Sequence, residues 1–384
     1  MAVAVVDDRQ DILAPSPRER TGLKFSVVGP DAITQLLPEW AVLAARSAGD
    51  NLFFRSEFAV PAMRSLGDRV SIATVALRDG RLAALAPFTG ARLGRLAPAK
   101  RLWAHAYAPL GLPLIDRDAV APAVGALVAG LAGRGSLIVP DLPLDGPVAA
   151  ALRAAATRAN RPVDVLDRHV RAVLDRTAAG PAGVRAALPA RRRKEFSRQM
   201  RRLAERGRVT FETRIEPADV RSRFEVFMAL EAAGWKGKRG TALISHKASA
   251  DFAREAVRVL ADAGAARIDS VDVDREPIAM VVSFAAGATA FTWKIAYDET
   301  YARYSPGVQL MLEVAAGIFS DPTIARIDSC AAAHHPMIDH LWGGRMAIGT
   351  LIIGPPGGGI LYRAGVLAAR AELAAKALVR RVRG

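Results

Sequence analysis

The stretch from Ala265 to Phe319 constrains this chain more than any other. Three apolar runs, Ala266–Val273, Ile278–Phe284 and Thr289–Ile295, are separated by tight polar turns and read as a hairpin followed by a third strand. They deliver the chain to Tyr304-Ser305-Pro306-Gly307-Val308-Gln309-Leu310, which opens a helix predicted over Gly307–Phe319. A helix start reached from strands is a place for an anion, because unpaired N–H groups and the helix dipole converge there. Pro306 suits the first turn, where a missing N–H costs nothing, and Gly307 lets the backbone approach a ligand closely.

An earlier part of the chain follows the same order. It reads as a strand at Lys24–Val28, a helix at 31–47, and two strands, Val70–Leu77 and Leu82–Phe88, joined across Asp79-Gly80. A strand at Leu110–Ile115, a helix at Val120–Leu131, a strand at Ser136–Pro140, a helix at Gly146–Asn160 and a strand at His169–Leu174 come next. A Gly/Pro/Ala-rich linker at 180–189 and a basic helix, Arg191–Arg206, separate this part from a second series that begins at Val209. Its later members are the segment already described, a strand at Ala325–Ser329, a helix at Pro336–Trp342 and a strand at Ala347–Ile353. Ile72–Phe88 lies over Ile268–Phe284 without a gap, with Ile72 on Ile268 and Phe88 on Phe284, as an internal duplication would leave it. Any two buried hairpins share such a pattern, so the matching order of elements carries the argument. The expected organisation is a flexible N-terminal segment (1–22), a first lobe (23–180), a linker with basic helix (181–207), a second lobe (208–356) and a basic amphipathic C-terminal helix (357–384). Each lobe is expected to be mixed α/β, a twisted sheet flanked by helices.

With 51% hydrophobic residues the chain has ample material for cores, which excludes a disordered protein. The apolar run Val120–Ala132 is too short to span a bilayer, and the first residues lack the basic start of a secretion signal. One cysteine, Cys330, fits a reducing cytoplasm. The net charge of +15 is concentrated at Arg191–Arg208 and Arg363–Arg383 and favours anionic partners.

Glu231-Ala-Ala-Gly-Trp235-Lys236-Gly237, Pro277-Ile278-Ala279, Tyr297-Asp298-Glu299 and Tyr301-Ala-Arg303-Tyr304-Ser305-Pro306-Gly307, with Asp328 and Trp342, resemble the GNAT acetyltransferase superfamily in its double-lobed branch. That branch holds CelD-like proteins of polysaccharide clusters and FemAB-like transferases. The resemblance implies two tandem GNAT-like lobes and acetyl-CoA as co-substrate. It also implies an amine acceptor among amino sugars or precursors of cell-surface polysaccharide. Two alternatives stay open: a FemAB-like transferase that takes an aminoacyl group from tRNA, and a catalytically silent subunit of a polysaccharide assembly complex. Two departures stand out. Only Arg303 and Gly307 fall near the family's pyrophosphate loop, and Ala333-His334-His335-Pro336-Met337 replaces a Tyr-Lys pair.

On this resemblance Lys294, Ile295 and Ala296 present backbone groups to pantetheine, while Arg303, Ser305, Gly307, Val308 and Gln309 surround the pyrophosphate. Trp235, Lys236, Tyr297 and Tyr301 are the candidate acceptor contacts. A general base must reach the incoming amine, and Asp328, His334 and Glu231 are the candidates. Asp328 also reads as a helix cap, His334 as a solvated loop residue and Glu231 as a partner of Lys236. Neighbouring histidines point apart, so no metal is expected at His334, His335, Asp339 and His340. The basic helix reads either as a solvated inter-lobe face or as a phosphate contact. The C-terminal helix, whose Leu, Val and Ala residues oppose its arginines, reads as packed on the second lobe or as touching an anionic membrane from the cytoplasmic side.

Overall fold

A computed structural model describes residues 22–67, 69–179 and 183–383, so the N-terminal segment and residues 180–182 of the linker lie outside the described residues. The first half contains β1 (Lys24–Val28), α1 (Ile33–Ala45), α2 (Ser56–Leu66), β2 (Ser71–Ala76), β3 (Leu82–Leu93), β4 (Ala97–Leu102), β5 (Leu114–Ile115), α3 (Val120–Ala132), β6 (Ser136–Pro143), α4 (Pro147–Arg158) and β7 (Val163–Asp175). Short helices α5 (Arg176–Ala179) and α6 (Gly183–Ala187) lead into the basic helix α7 (Ala190–Ala204). The second half contains β8 (Val209–Arg214), α8 (Pro217–Ala233), α9 (Trp235–Lys238), α10 (Lys247–Asp262), β9 (Ala266–Val273), β10 (Glu276–Ala286) and β11 (Thr289–Tyr297). It closes with α11 (Pro306–Ile318), β12 (Arg326–Asp328), β13 (Gly344–Ile353) and α12 (Ile360–Arg383).

The thirteen strands among the described residues form one sheet, whose main path is β1-β2-β3-β4-β6-β13-β7-β12-β11-β10-β9-β8. The path is a palindrome once β1–β4, β6 and β7 are equated with β8–β11, β12 and β13. In both halves three antiparallel pairings are followed by a short parallel one, β4 with β6 and β11 with β12. The final strand of each half then crosses over. β7 pairs with β12, β13 pairs with β6, and the two exchanged strands pair with each other. The expected second lobe of 208–356 therefore does not follow the sheet, because Gly344–Ile353 completes the first lobe's half of it. Nothing in a strand's own residues names the lobe it joins. β13 reads as an apolar strand in either place.

The duplication also slips by one residue inside the hairpin. Ile72 lies opposite Pro87, whereas Ile268 lies opposite Val282, which the gapless overlay equates with Ala86. The second hairpin closes one residue tighter, with Asp272 opposite Pro277 where Ala76 meets Leu82. β4 was not expected: Pro98, Lys100 and Arg101 disguise a strand that buries Ala97 and Ala99 on one face and Leu102 on the other. The strand expected at Leu110–Ile115 is reduced to its last two residues. In place of a helix at Pro336–Trp342 there is one 3-10 turn, Ile338–His340. Arg345 donates to the carbonyls of Asp339, Trp342 and Gly344, which take the place of helical partners.

Apolar packing joins the halves. α2 lies against α10, and Phe58 meets Phe252, Phe284 and Trp293 edge to face, with ring centroids 5.2, 6.4 and 5.9 Å apart. The main core cluster accordingly runs through both lobes.

Candidate functional site

β11 and β12 run side by side only over Thr289–Phe291 and Arg326–Asp328. Thr292 Oγ1 donates to the Asp328 carbonyl at 3.3 Å, and beyond that point β11 continues to Tyr297 with β10 alone beside it. The open wedge holds a cavity of about 730 Å³. Its walls come from β11, from α8 and α9, from the start of α11 and from the loop 329–338.

A β-bulge shapes the β11 wall. The ladder passes from Val282 opposite Lys294 to Ser283 opposite Thr292, which leaves Trp293 as the extra residue. Such a bulge turns neighbouring side chains toward one face, where strict alternation would separate them. Lys294 Nζ accordingly stands 5.9 Å from the Trp293 ring centroid and 4.9 Å from that of Tyr107 in the first lobe. The Tyr107 carbonyl accepts from Trp293 Nε1 at 2.9 Å, which fixes this contact. Lys294 has no hydrogen bond or ion pair among the described residues, and burial pulls its pKa down from 10.5 to about 8, with nearby Glu231 opposing and Lys236 assisting. The first lobe has no matching lysine. Ala99 beside Ser136 corresponds to Thr289 beside Arg326, so Trp103 falls at Trp293 and Ala104 at Lys294.

A buried ion pair lies below. Glu231 Oε1 accepts from Lys236 Nζ at 2.8 Å, and its Oε2 accepts from the Leu243 N–H at 2.8 Å. Lys236 also donates to the Ile295 carbonyl at 2.8 Å, so its ammonium spans α8 and the free edge of β11. At Gly237 a Cβ would fall 1.7 Å from the Ala232 carbonyl oxygen, so glycine lets α9 fold back on α8 and present Lys236. Glu299 steadies this turn by accepting from the Trp235 N–H and from Lys238.

At the helix start Ser305 is left-handed, φ 51°, and swings the chain from the turn Glu299–Tyr304 into α11. The N–H groups of Val308 and Gln309 return to the Ser305 carbonyl, and Pro306 has none. Gly307 thus offers the one free N–H of this turn among the described residues. A Cβ there would stand 3.4 Å from Ile295 Cδ1, so the fold leaves room for one.

Among the expected contacts, Glu231, Trp235, Lys236, Lys294, Ile295, Ala296, Tyr297, Ser305, Gly307 and Val308 all line this cavity. Others do not. Arg303 is exposed and lies over the Tyr304 ring at 4.8 Å. Tyr301 packs against Tyr304, 6.3 Å between centroids. Gln309 is fully buried and ties α11 to α7 through its Nε2, which donates to the Phe196 carbonyl at 2.9 Å. Asp328 is buried against Arg171 at 3.1 Å and faces a separate cavity of about 270 Å³ between the lobes. Burial raises its pKa, with Arg171 opposing. His334 is exposed and has a left-handed backbone.

The histidine that lines the cavity is its neighbour, His335. Burial lowers its pKa, with Asp339 opposing. The N–H groups of Met337 and Ile338 point at His335 Nδ1, each at 3.4 Å, which places the proton of the neutral ring on Nε2. The sequence offered two adjacent histidines, and only the loop's path selects between them. Cys330 also lines the cavity, and burial pushes its thiol well above the usual range. Among the described residues, no group of three or more His, Cys, Asp or Glu could hold a metal.

Residues 190–335 match the family described as acetyltransferase (GNAT) domain. No curated protein matches the sequence. The structure of FemX is similar, with TM-score 0.56 and 11% identity over 83% of this chain and 96% of that one. The C-terminal domain of a putative lysylphosphatidylglycerol synthetase from Agrobacterium fabrum gives 0.53 and 13%, over 87% and 95% of the two chains. A conserved protein of unknown function from Bacteroides thetaiotaomicron gives 0.54 and 9%, over 86% and 100%. At these identities the likeness is one of fold.

Proposed function

We propose that the chain is a two-lobed GNAT-type transferase, as the match of residues 190–335 to an acetyltransferase (GNAT) domain supports, and that its second lobe transfers an acyl group from coenzyme A to an amine. The observation that carries this reading is the wedge between β11 and β12. It offers the thioester a strand edge not paired to β12 and ends at the free Gly307 N–H and the positive end of α11.

In this reading the pantetheine arm lies along Lys294–Ala296 and the pyrophosphate lies at Ser305–Val308. The amine attacks the thioester carbonyl, the C–N bond forms, the C–S bond breaks, and the nitrogen's surplus proton ends on the leaving sulfur. Lys236 commits two of its N–H bonds to Glu231 and Ile295 and keeps the third for the developing oxyanion. The His335 Nε2–H faces the leaving thiolate as a hydrogen-bond donor. Glu231 is a positioning residue, because both its oxygens are engaged. Lys294, a cation without a carboxylate partner among the described residues, favours an acceptor that carries an acidic group.

The second reading keeps the fold and takes the acyl group from aminoacyl-tRNA. The observation in its favour is α7, which exposes Arg191, Lys194, Arg198, Arg201 and Arg202 and packs beside the turn that opens α11. Thiol release from acetyl-CoA, measured across a panel of neutral and acidic amino sugars, tests the first reading. Release with an acidic amine, lost in Lys236→Met, is expected. No release with any amine from a protein that does bind coenzyme A would overturn the acyl-transfer step.

A further inference from the structure

Helix α12 crosses the first lobe, not the second, and buries Tyr362 and Val366 there, with Ala369 and Leu373 partly covered. Tyr362 Oη donates to Asp164 Oδ2 at 2.6 Å. A Cβ on Gly365 would stand 2.9 Å from the Leu93 carbonyl oxygen, and one on Gly94 would stand 2.2 Å from the Gly365 carbonyl oxygen. Helix and β3–β4 turn are therefore in backbone contact, and α12 is not free to roll.

The face held outward is apolar. Ile360, Leu361, Leu367, Leu378 and Val379 recur on it at helical spacing with alanines between them. Ile360 is 88% exposed, Leu367 63% and Leu378 64%. One edge of this stripe carries exposed Arg363 and also Arg370, which is exposed but paired with Asp164 at 2.8 Å, and the adjoining turn adds exposed Arg92 and Arg95. Arg95 reaches the helix through Glu372 at 3.5 Å. No helix among the described residues is long and apolar enough to cross a membrane, so α12 could only lie along one.

We propose that α12 docks the protein onto an anionic lipid surface, with the leucine stripe among the upper acyl segments and Arg363, with Arg92 of the adjoining turn, among the phosphates. A convex apolar strip with cations along its edge fits a fluid, negatively charged layer. A second copy of the helix is the poorer occupant, because it would set the same arginines against one another. This inference is independent of which donor the cavity binds.

Co-sedimentation of the full chain with phosphatidylcholine vesicles, with and without phosphatidylglycerol, tests it. The protein is expected to pellet with the anionic vesicles only. Leu367→Glu with Leu378→Glu should lower the bound fraction roughly tenfold or more, and Arg363→Glu should lower it less. Both variants change exposed side chains away from the cavity, so an unchanged melting temperature is the folding control. Three results would overturn the proposal. They are wild-type protein that stays in solution with anionic vesicles, binding that the leucine variants leave intact, and a dimer in light scattering that the leucine variants disperse.

Discussion

Lys294 brings a stability cost and a proposed binding role together in one residue. Its pKa in the folded chain is about 8, below the ordinary 10.5. Below pH 8 both folded and unfolded chains hold the proton, and the cost of burying the charge is present in full. Between about 8 and 10.5 the unfolded chain holds more protons, so stability should rise with pH across that window. Lys294→Met should abolish this rise and add stability on the order of 2 kcal/mol at pH 7. The same variant should raise KM for an acidic acceptor more than it lowers kcat. Urea titrations at several pH values and initial rates check the two halves. Gly307→Val should weaken coenzyme A binding roughly tenfold, with Gly307→Ala, whose Cβ would stand 3.4 Å from Ile295 Cδ1, weakening it less and serving as the folding control. Asp328→Ala should cost about 3–5 kcal/mol, because it leaves the Arg171 guanidinium buried without its carboxylate. A variant that stayed fully stable and lost only activity would return Asp328 to the chemistry.

At the scale of elements, Gln309 tests whether the start of α11 is held from behind. Gln309→Ala removes the bond to the Phe196 carbonyl and should cost about 1–3 kcal/mol in denaturant titration while coenzyme A affinity holds. Much of this level was legible in the sequence. The Asp79-Gly80 turn marked β2 and β3, and Ser305-Pro306-Gly307 marked the start of α11, because both signals are local. The candidate site was legible where it depends on those elements, as at Glu231, Lys236 and Gly307. It failed where side-chain direction decides. The bulge at Trp293 aims Lys294, the loop's path selects His335 over His334, and Tyr107 arrives from the other half of the chain. Gln309 follows Gly307 closely in sequence, yet its side chain points to α7.

At the scale of the molecule, the exchange of β7 and β13 decides how the protein unfolds. Neither half can complete its sheet without the other's last strand, and one core runs through both. A single calorimetric transition is expected, and residues 1–207 alone should not fold, because β6 and β7 would lack β13 between them. Two separated transitions would contradict the exchanged topology. The proposed function rests on one wedge in the second lobe, and its most direct test is isothermal titration of the whole protein with acetyl-CoA and with coenzyme A, uncharged tRNA serving as the charge control. Saturable micromolar binding of coenzyme A that survives moderate salt and is weakened by Gly307→Val is the predicted result. Absence of coenzyme A binding, with salt-sensitive tRNA binding in its place, would contradict it and move the donor to aminoacyl-tRNA.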